Sequence, residues 1–180
     1  MLALANPVAF RRAARLRDLA TRICTMMRIQ DAWQISAAAT LSHIGYITLP
    51  PTVLEKHYSG RALTASEEGM LHGQVEGTTR LLEKIPRLEN VTRIIRDFST
   101  SRNSPAVAMR DTTSFGANLL RCIVEFDRMT TRGLSRAEAI RILSNRPDDF
   151  NADIVAALNT IKPEGRASSR RMVMIDALQN

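Results

Sequence analysis

Ser42 and His43 are the first pair in this 180-residue chain that could do chemistry. They close a run of small and apolar residues, Ala37-Ala38-Ala39-Thr40-Leu41, and Gly45 and the double proline Pro50-Pro51 follow. Small side chains let a helix sit deep against its neighbours. Gly45 is expected to supply the φ > 0 turn that ends the helix. Pro50 and Pro51 forbid helix through Leu49 and can restart one after it. The pair is thus expected at the inward C-terminal end of a central helix, where an α-helical enzyme places metal ligands. His72 and Asp127 also carry ligand chemistry, because imidazole and carboxylate bind divalent ions well and a hydroxyl binds them weakly. His57, beside Tyr58 and Gly60, reads as surface.

The elements around these residues read as helices. Apolar residues, Phe10 and Met26 among them, recur at helical spacing from Pro7 to about Met27, with Arg on the opposite face, and Pro7 suits a first turn. Asp31 is placed to cap a second helix carrying Trp33, Ile35, Ala38, Leu41 and Ile44 toward the core. A short helix runs from about Pro51 to His57. Thr64 and Glu67 have capping-box spacing before a helix or helix pair that reaches Ile85, with Met70, Leu71, Val75, Leu81 and Leu82 inward. Leu88 to about Phe98 makes another. Residues Ser99 to about Thr113 form a long polar connection, a length usually tied to function or mobility. Phe115 to Thr131 is strongly amphipathic and stops at Gly133. Ser135 and Glu138 repeat the capping box, and Asn151 to Ile161 is the last clear helix. The fold class is all-α, a bundle of about seven helices, with a short C-terminal strand suggested by Arg171 to Asp176. Residues 1–162 are read as one domain and 163–180 as a basic tail that could begin a further segment, the chain then being a piece of something longer.

Composition narrows the function. Hydrophobic residues make up 44% and aromatics 4%, so Ala, Leu, Ile and Met fill the interior. Every apolar run is interrupted before membrane-spanning length, and the N-terminal arginines are not followed by a secretory core. Cys24 and Cys122 sit inside apolar patterns, which suggests buried free thiols in a reducing cytoplasm. The formal charge of +7 comes from arginines spread along the helices among Glu and Asp. That spread describes solvated helix faces better than a nucleic-acid surface.

The 37–51 stretch resembles the HD-domain metal-dependent phosphohydrolases, and their HD-GYP branch in particular. The equivalent run there reads Ala-Ala-x-Leu-His-Asp-Ile-Gly-Lys, followed by Ile-Pro. Leu41, Ile44, Gly45, Ile47 and Pro50 keep the framework, while Ser42, His43 and Tyr46 replace the His, Asp and Lys. His72 to Leu82 resembles the family's His-Pro-x-x-Gly-x-x-x-Leu-Leu, so His72 matches a metal ligand. Asp127 lies in a segment resembling the helix that bears the family's conserved Asp. Where the His-His-Glu motif is due, the chain has Asp97-Phe98-Ser99-Thr100. Where the Gly-Tyr-Pro loop is due, it has Ser101-Arg102-Asn103-Ser104-Pro105.

The resemblance implies an HD-type helical bundle in a bacterial signalling protein, with a centre that has lost its ligands. No cofactor is expected. A single divalent ion held by His43 and His72, with Asp97 or Asp127, is the alternative. The expected function is binding rather than hydrolysis: docking onto another signalling protein or domain, forming a homodimer, or sensing a cyclic dinucleotide through Arg96, Arg102 and Arg110. The alternative is a noncanonical metal-dependent phosphodiesterase using His43, His72 and Asp127. The bland readings are a hydrogen-bonded core histidine at His72, a His43 satisfied by Ser42 or a carbonyl, and an Asp127 paired with an arginine.

Overall fold

The computed structural model describes residues 7–100 and 111–161, except for the side chains at 47, 48, 72 and 100. Among them are eight α-helices, one 3₁₀ turn and no strand. The helices are α1 (Pro7–Met26), α2 (Ala32–Leu41), α3 (Pro51–Ser59), α4 (Ala65–Leu82), α5 (Glu89–Thr100), α6 (Thr112–Thr131), α7 (Arg136–Ser144) and α8 (Ala152–Thr160). The 3₁₀ turn, Ile44–Thr48, joins α2 to α3. The all-α bundle is as expected, and the suggested strand at 171–176 lies outside the described residues.

The local signals explain most boundaries. Thr64 Oγ1 accepts from the Glu67 amide and the Glu67 carboxylate accepts from the Thr64 amide, a complete capping box. Ser135 and Glu138 do the same at α7, and Asn151 Oδ1 takes two amide protons at α8. Gly133, at φ 96°, ends the chain's run out of α6. Pro50 stands at the N-cap and Pro51 in the first turn of α3.

Three local expectations are corrected. Asp31 stands before α2 but in a left-handed conformation, φ 53°, and its side chain caps nothing. Helix α6 begins at Thr112, earlier than Phe115, because Asp111 accepts from the Ser114 amide at 2.7 Å and from Thr113 Oγ1 at 2.7 Å. Gly45 has no positive φ. Its lack of a side chain serves a close approach instead: a Cβ there would fall 2.5 Å from Thr78 Oγ1 and 2.8 Å from the Gln74 carbonyl oxygen.

The core is organised around α6 rather than α2. Twelve of its residues are buried, and it touches α1, α2, α3, α5, α7 and α8. Leu16, Ile23, Ile35, Ile94, Ile95, Leu119, Leu120, Ile123, Leu143, Ile154 and Leu158 are fully buried around it. Removing such large aliphatic surfaces from water is the main term stabilising the bundle. A second, smaller cluster of Ala9, Leu49, Val53, Leu54, Tyr58 and Leu71 lies under α3. Phe10, Met26, Trp33, Met70 and Leu81 point outward, against the periodicity that placed them inside. Cys24 and Cys122 are buried free thiols. No helix among the described residues is long and apolar enough to cross a membrane.

Candidate functional site

A cleft opens where α1, the 3₁₀ turn, α3, α5 and α6 meet. Its inner end, about 50 Å³, is lined by Arg12, Ser42, His43, Tyr46, His57 and Tyr58, with Val75, Ile95, Phe98 and Val124. It widens into an outer groove of about 800 Å³ past Arg121, Glu125, Arg128, Arg146 and Asp149. The inner end is far below the 300–1,000 Å³ typical of small-molecule sites, and the groove falls within that range.

Helix α2 stops at Leu41, so Ser42 and His43 lie in the turn just beyond it, buried as expected. Ser42 Oγ sits 3.2 Å from the Ala39 carbonyl oxygen and 3.0 Å from His43 Nδ1. A hydroxyl has one proton to give. If it goes to the Ala39 carbonyl, His43 Nδ1 donates to Ser42 and Nε2 carries the lone pair. Burial, then the positive charge of Arg12, the His57 ring and Arg15, pulls the His43 pKa down to about 3. The imidazole is therefore neutral at ordinary pH. A chain of rings runs on from it: His43 to Tyr46 at 5.4 Å, Tyr46 to His57 at 6.2 Å, His57 to Tyr58 at 5.3 Å. His57 is half-buried in the cleft, not on the surface.

Behind Arg12, which lines the cleft, lies the buried Asp127 of α6, held by two arginines of α1. Arg15 Nε donates to Oδ1 at 2.8 Å and Nη2 to Oδ2 at 3.4 Å. Arg12 Nε lies 3.1 Å from Oδ2, its proton not aligned as a hydrogen bond. Both Arg12 and Asp127 are almost wholly buried. Arg12 also donates to the Val124 carbonyl at 3.5 Å, and its guanidinium lies 4.3 Å from the centre of the Tyr58 ring. A flat, delocalised cation stacked on an aromatic face and facing a carboxylate is well suited to a poorly hydrated place.

Arg12 is the residue that sequence reasoning missed, having been placed with the solvated arginines. The signal was there: Ala9, Ala13, Leu16, Ala20 and Ile23 are buried, and position 12 falls on their stripe, three residues after Ala9 and four before Leu16. Tyr58 was missed as well, and its hydroxyl is buried with no hydrogen-bond partner among the described residues.

The other candidates lie apart from the cleft or outside the described residues. His72 belongs to α4, but its side chain lies outside the described set. Asp97 pairs loosely with Arg93 at 3.8 Å on the outside of α5. Arg96 is exposed and pairs with Glu83, away from the lining of the cleft and groove. Arg102 and Arg110 fall at positions outside the described residues. Among the described residues no three His, Cys, Asp or Glu side chains gather where they could hold one ion.

The outer groove has its own arginines. Arg128 is paired with Glu125 and Arg146 with Asp149. Arg121 donates to Asn118 Oδ1 at 3.0 Å and to the Asp97 carbonyl at 3.4 Å. It forms no salt bridge among the described residues, although the Asp149 carboxylate is near enough to act on its charge.

No curated protein and no solved structure matches the chain. The family model described as HD domain matches residues 1–154. With that match covering most of its length, the chain belongs to the HD-domain family.

Proposed function

We propose that this HD-domain protein works by binding, its phosphohydrolase centre having been lost. The observation that carries this reading is the buried pair of Arg12 and Asp127. The resemblance assigns Asp127 to metal binding, yet its two oxygens already face two guanidinium groups. A divalent ion would have to displace Arg15 and sit beside the buried charge of Arg12, against strong like-charge repulsion in a poorly screened place. The donor set therefore does not fit the ions that hydrolysis in this family would need. Of the remaining ligand chemistry described in the cleft, His43 and His57 offer one imidazole each, fewer than the three protein ligands that catalytic metals commonly need.

The groove is where a ligand would go. A phosphoester anion such as a cyclic dinucleotide would find Arg121 there, with Arg102 and Arg110 as further candidate contacts. Another signalling protein or domain is the alternative partner. Titrating purified protein with cyclic di-GMP in a calorimeter, while assaying product by chromatography, tests the reading. Binding without turnover, weakened by Arg121→Met, is expected. Turnover that depends on added Mn²⁺ and disappears in His72→Ala would establish instead a noncanonical phosphodiesterase using His43, His72 and Asp127. One feature favours that second reading: a neutral His43 is in the protonation state a metal requires.

A further inference from the structure

Helix α4 is the least enclosed long helix of the fold. It packs mainly on α5 and the 3₁₀ turn through Leu71, Val75, Thr78 and Leu82. Six large hydrophobic side chains are exposed among the described residues, and three of them belong to this helix and the turn after it: Met70, Leu81 and Ile85. Leu81 is 66% exposed. Met70 and Leu81 lie with Gly73 and Gly77 at i, i+3, i+7 and i+11, one stripe of a helix. Nothing among the described residues lies within 4 Å of a Cβ built at Gly73 or Gly77. Large apolar side chains thus flank two positions where another backbone could approach closely.

We infer that this face of α4 is a self-association surface that takes a second copy of the same chain, antiparallel, across a two-fold axis near Gly77. The charges select that occupant. Glu76 and Arg80 stand on one edge of the stripe, exposed, and form an intrahelical pair at 2.5 Å. A two-fold perpendicular to the two helices brings like edges together in reversed order, so Glu76 of each copy comes within reach of Arg80 of the other. With the axis at Gly77, Leu81 of one copy enters the space above Gly73 of the other, and Met70 approaches Ile85. An isologous contact needs one patch that complements itself, and this one does so in both shape and charge.

Sedimentation equilibrium of the full chain over a hundredfold concentration range tests the inference. The average mass should rise toward two chains, and Gly77→Gln should weaken association about tenfold or more. That substitution fills open space on a helix, so its melting temperature should not fall and misfolding is controlled. Arg80→Glu should weaken the dimer, and adding Glu76→Arg to it should restore affinity. Gly77→Cys, on the axis, should oxidise to a covalent dimer, whereas Arg17→Cys on the exposed side of α1 should not. A mass of one chain throughout overturns the inference, as does a dimer indifferent to Gly77→Gln.

Discussion

Arg12 Nε lies 3.1 Å from Asp127 Oδ2, with both side chains about 5% exposed and the Tyr58 ring stacked on the guanidinium. The contact ties α1 to α6 behind the wall of the cleft that Arg12 lines. It places a fixed positive charge beside the carboxylate that the family resemblance assigns to a metal.

Breaking this pair from one side should be more damaging than removing it. Asp127→Ala strands the buried Arg12 cation and should cost about 3–5 kcal/mol in urea unfolding, the range for an orphaned buried charge. Arg12→Met with Asp127→Leu removes both charges and should recover most of that loss. Arg15 is half exposed, so Arg15→Met should cost about 1 kcal/mol or less. A double-mutant cycle of Arg12 and Asp127 measures the coupling directly.

Acid should loosen the cleft before it touches most carboxylates. His43 holds its proton with a pKa of about 3 when folded and 6.5 ordinarily, so the unfolded chain binds the proton more readily. Stability is then full above pH 6.5 and falls as the pH drops from there toward 3, by about 1.4 kcal/mol per unit. His57 is shifted in the same direction, chiefly by burial. Asp111, held down to about 2 by the Ser114 amide and Thr113 hydroxyl, contributes above 3.8 and loses its share only below that. Unfolding free energies at pH 7.5 and 5.0 should differ by about 2 kcal/mol from His43 alone. His43→Gln should flatten that slope.

Close approach at Gly45 should be intolerant of one methyl group. Gly45→Ala sets a Cβ against the Gln74 carbonyl and Thr78 hydroxyl and should destabilise by about 1–3 kcal/mol. Gly69→Ala, in open space on α4, should instead be neutral or stabilise by up to about 1 kcal/mol through helix propensity. Thermal unfolding of the two variants side by side gives the comparison.

Both thiols should be inert in the folded protein. Burial raises Cys24 to about 11 and Cys122 to about 12, leaving almost no thiolate at pH 8. An aromatic disulfide reagent should modify neither until urea unfolds the chain, and then should modify both together.

Most of the fold was legible because its signals are local. Capping boxes at Thr64 and Ser135, the proline pair at 50 and 51 and the glycine at 133 each act within a few residues, and each does what its chemistry implies. Asp31 and Gly45 show where that logic stops. The same residue types can cap or turn, but Asp31 takes a left-handed backbone and caps nothing, and Gly45 serves a tertiary contact with α4. The site was legible only in part. Ser42 and His43 were placed inward correctly from the small-residue run. Arg12 was not, because a charge on an apolar stripe is ordinarily a stripe edge, and only its distant partner Asp127, with Tyr58, makes burial tolerable. Phe10, Trp33 and Leu81 were read inward because periodicity locates a face without saying whether anything covers it.

The central claim is that guanidinium charge has taken the place of metal ions in the cleft, and metal stoichiometry tests it most directly. Purified protein equilibrated with Mn²⁺, freed of loose ions by gel filtration and analysed by mass spectrometry of the metal should carry well under one ion per chain. Two ions per chain, lost together in Asp127→Asn and accompanied by phosphodiester hydrolysis, would contradict the account.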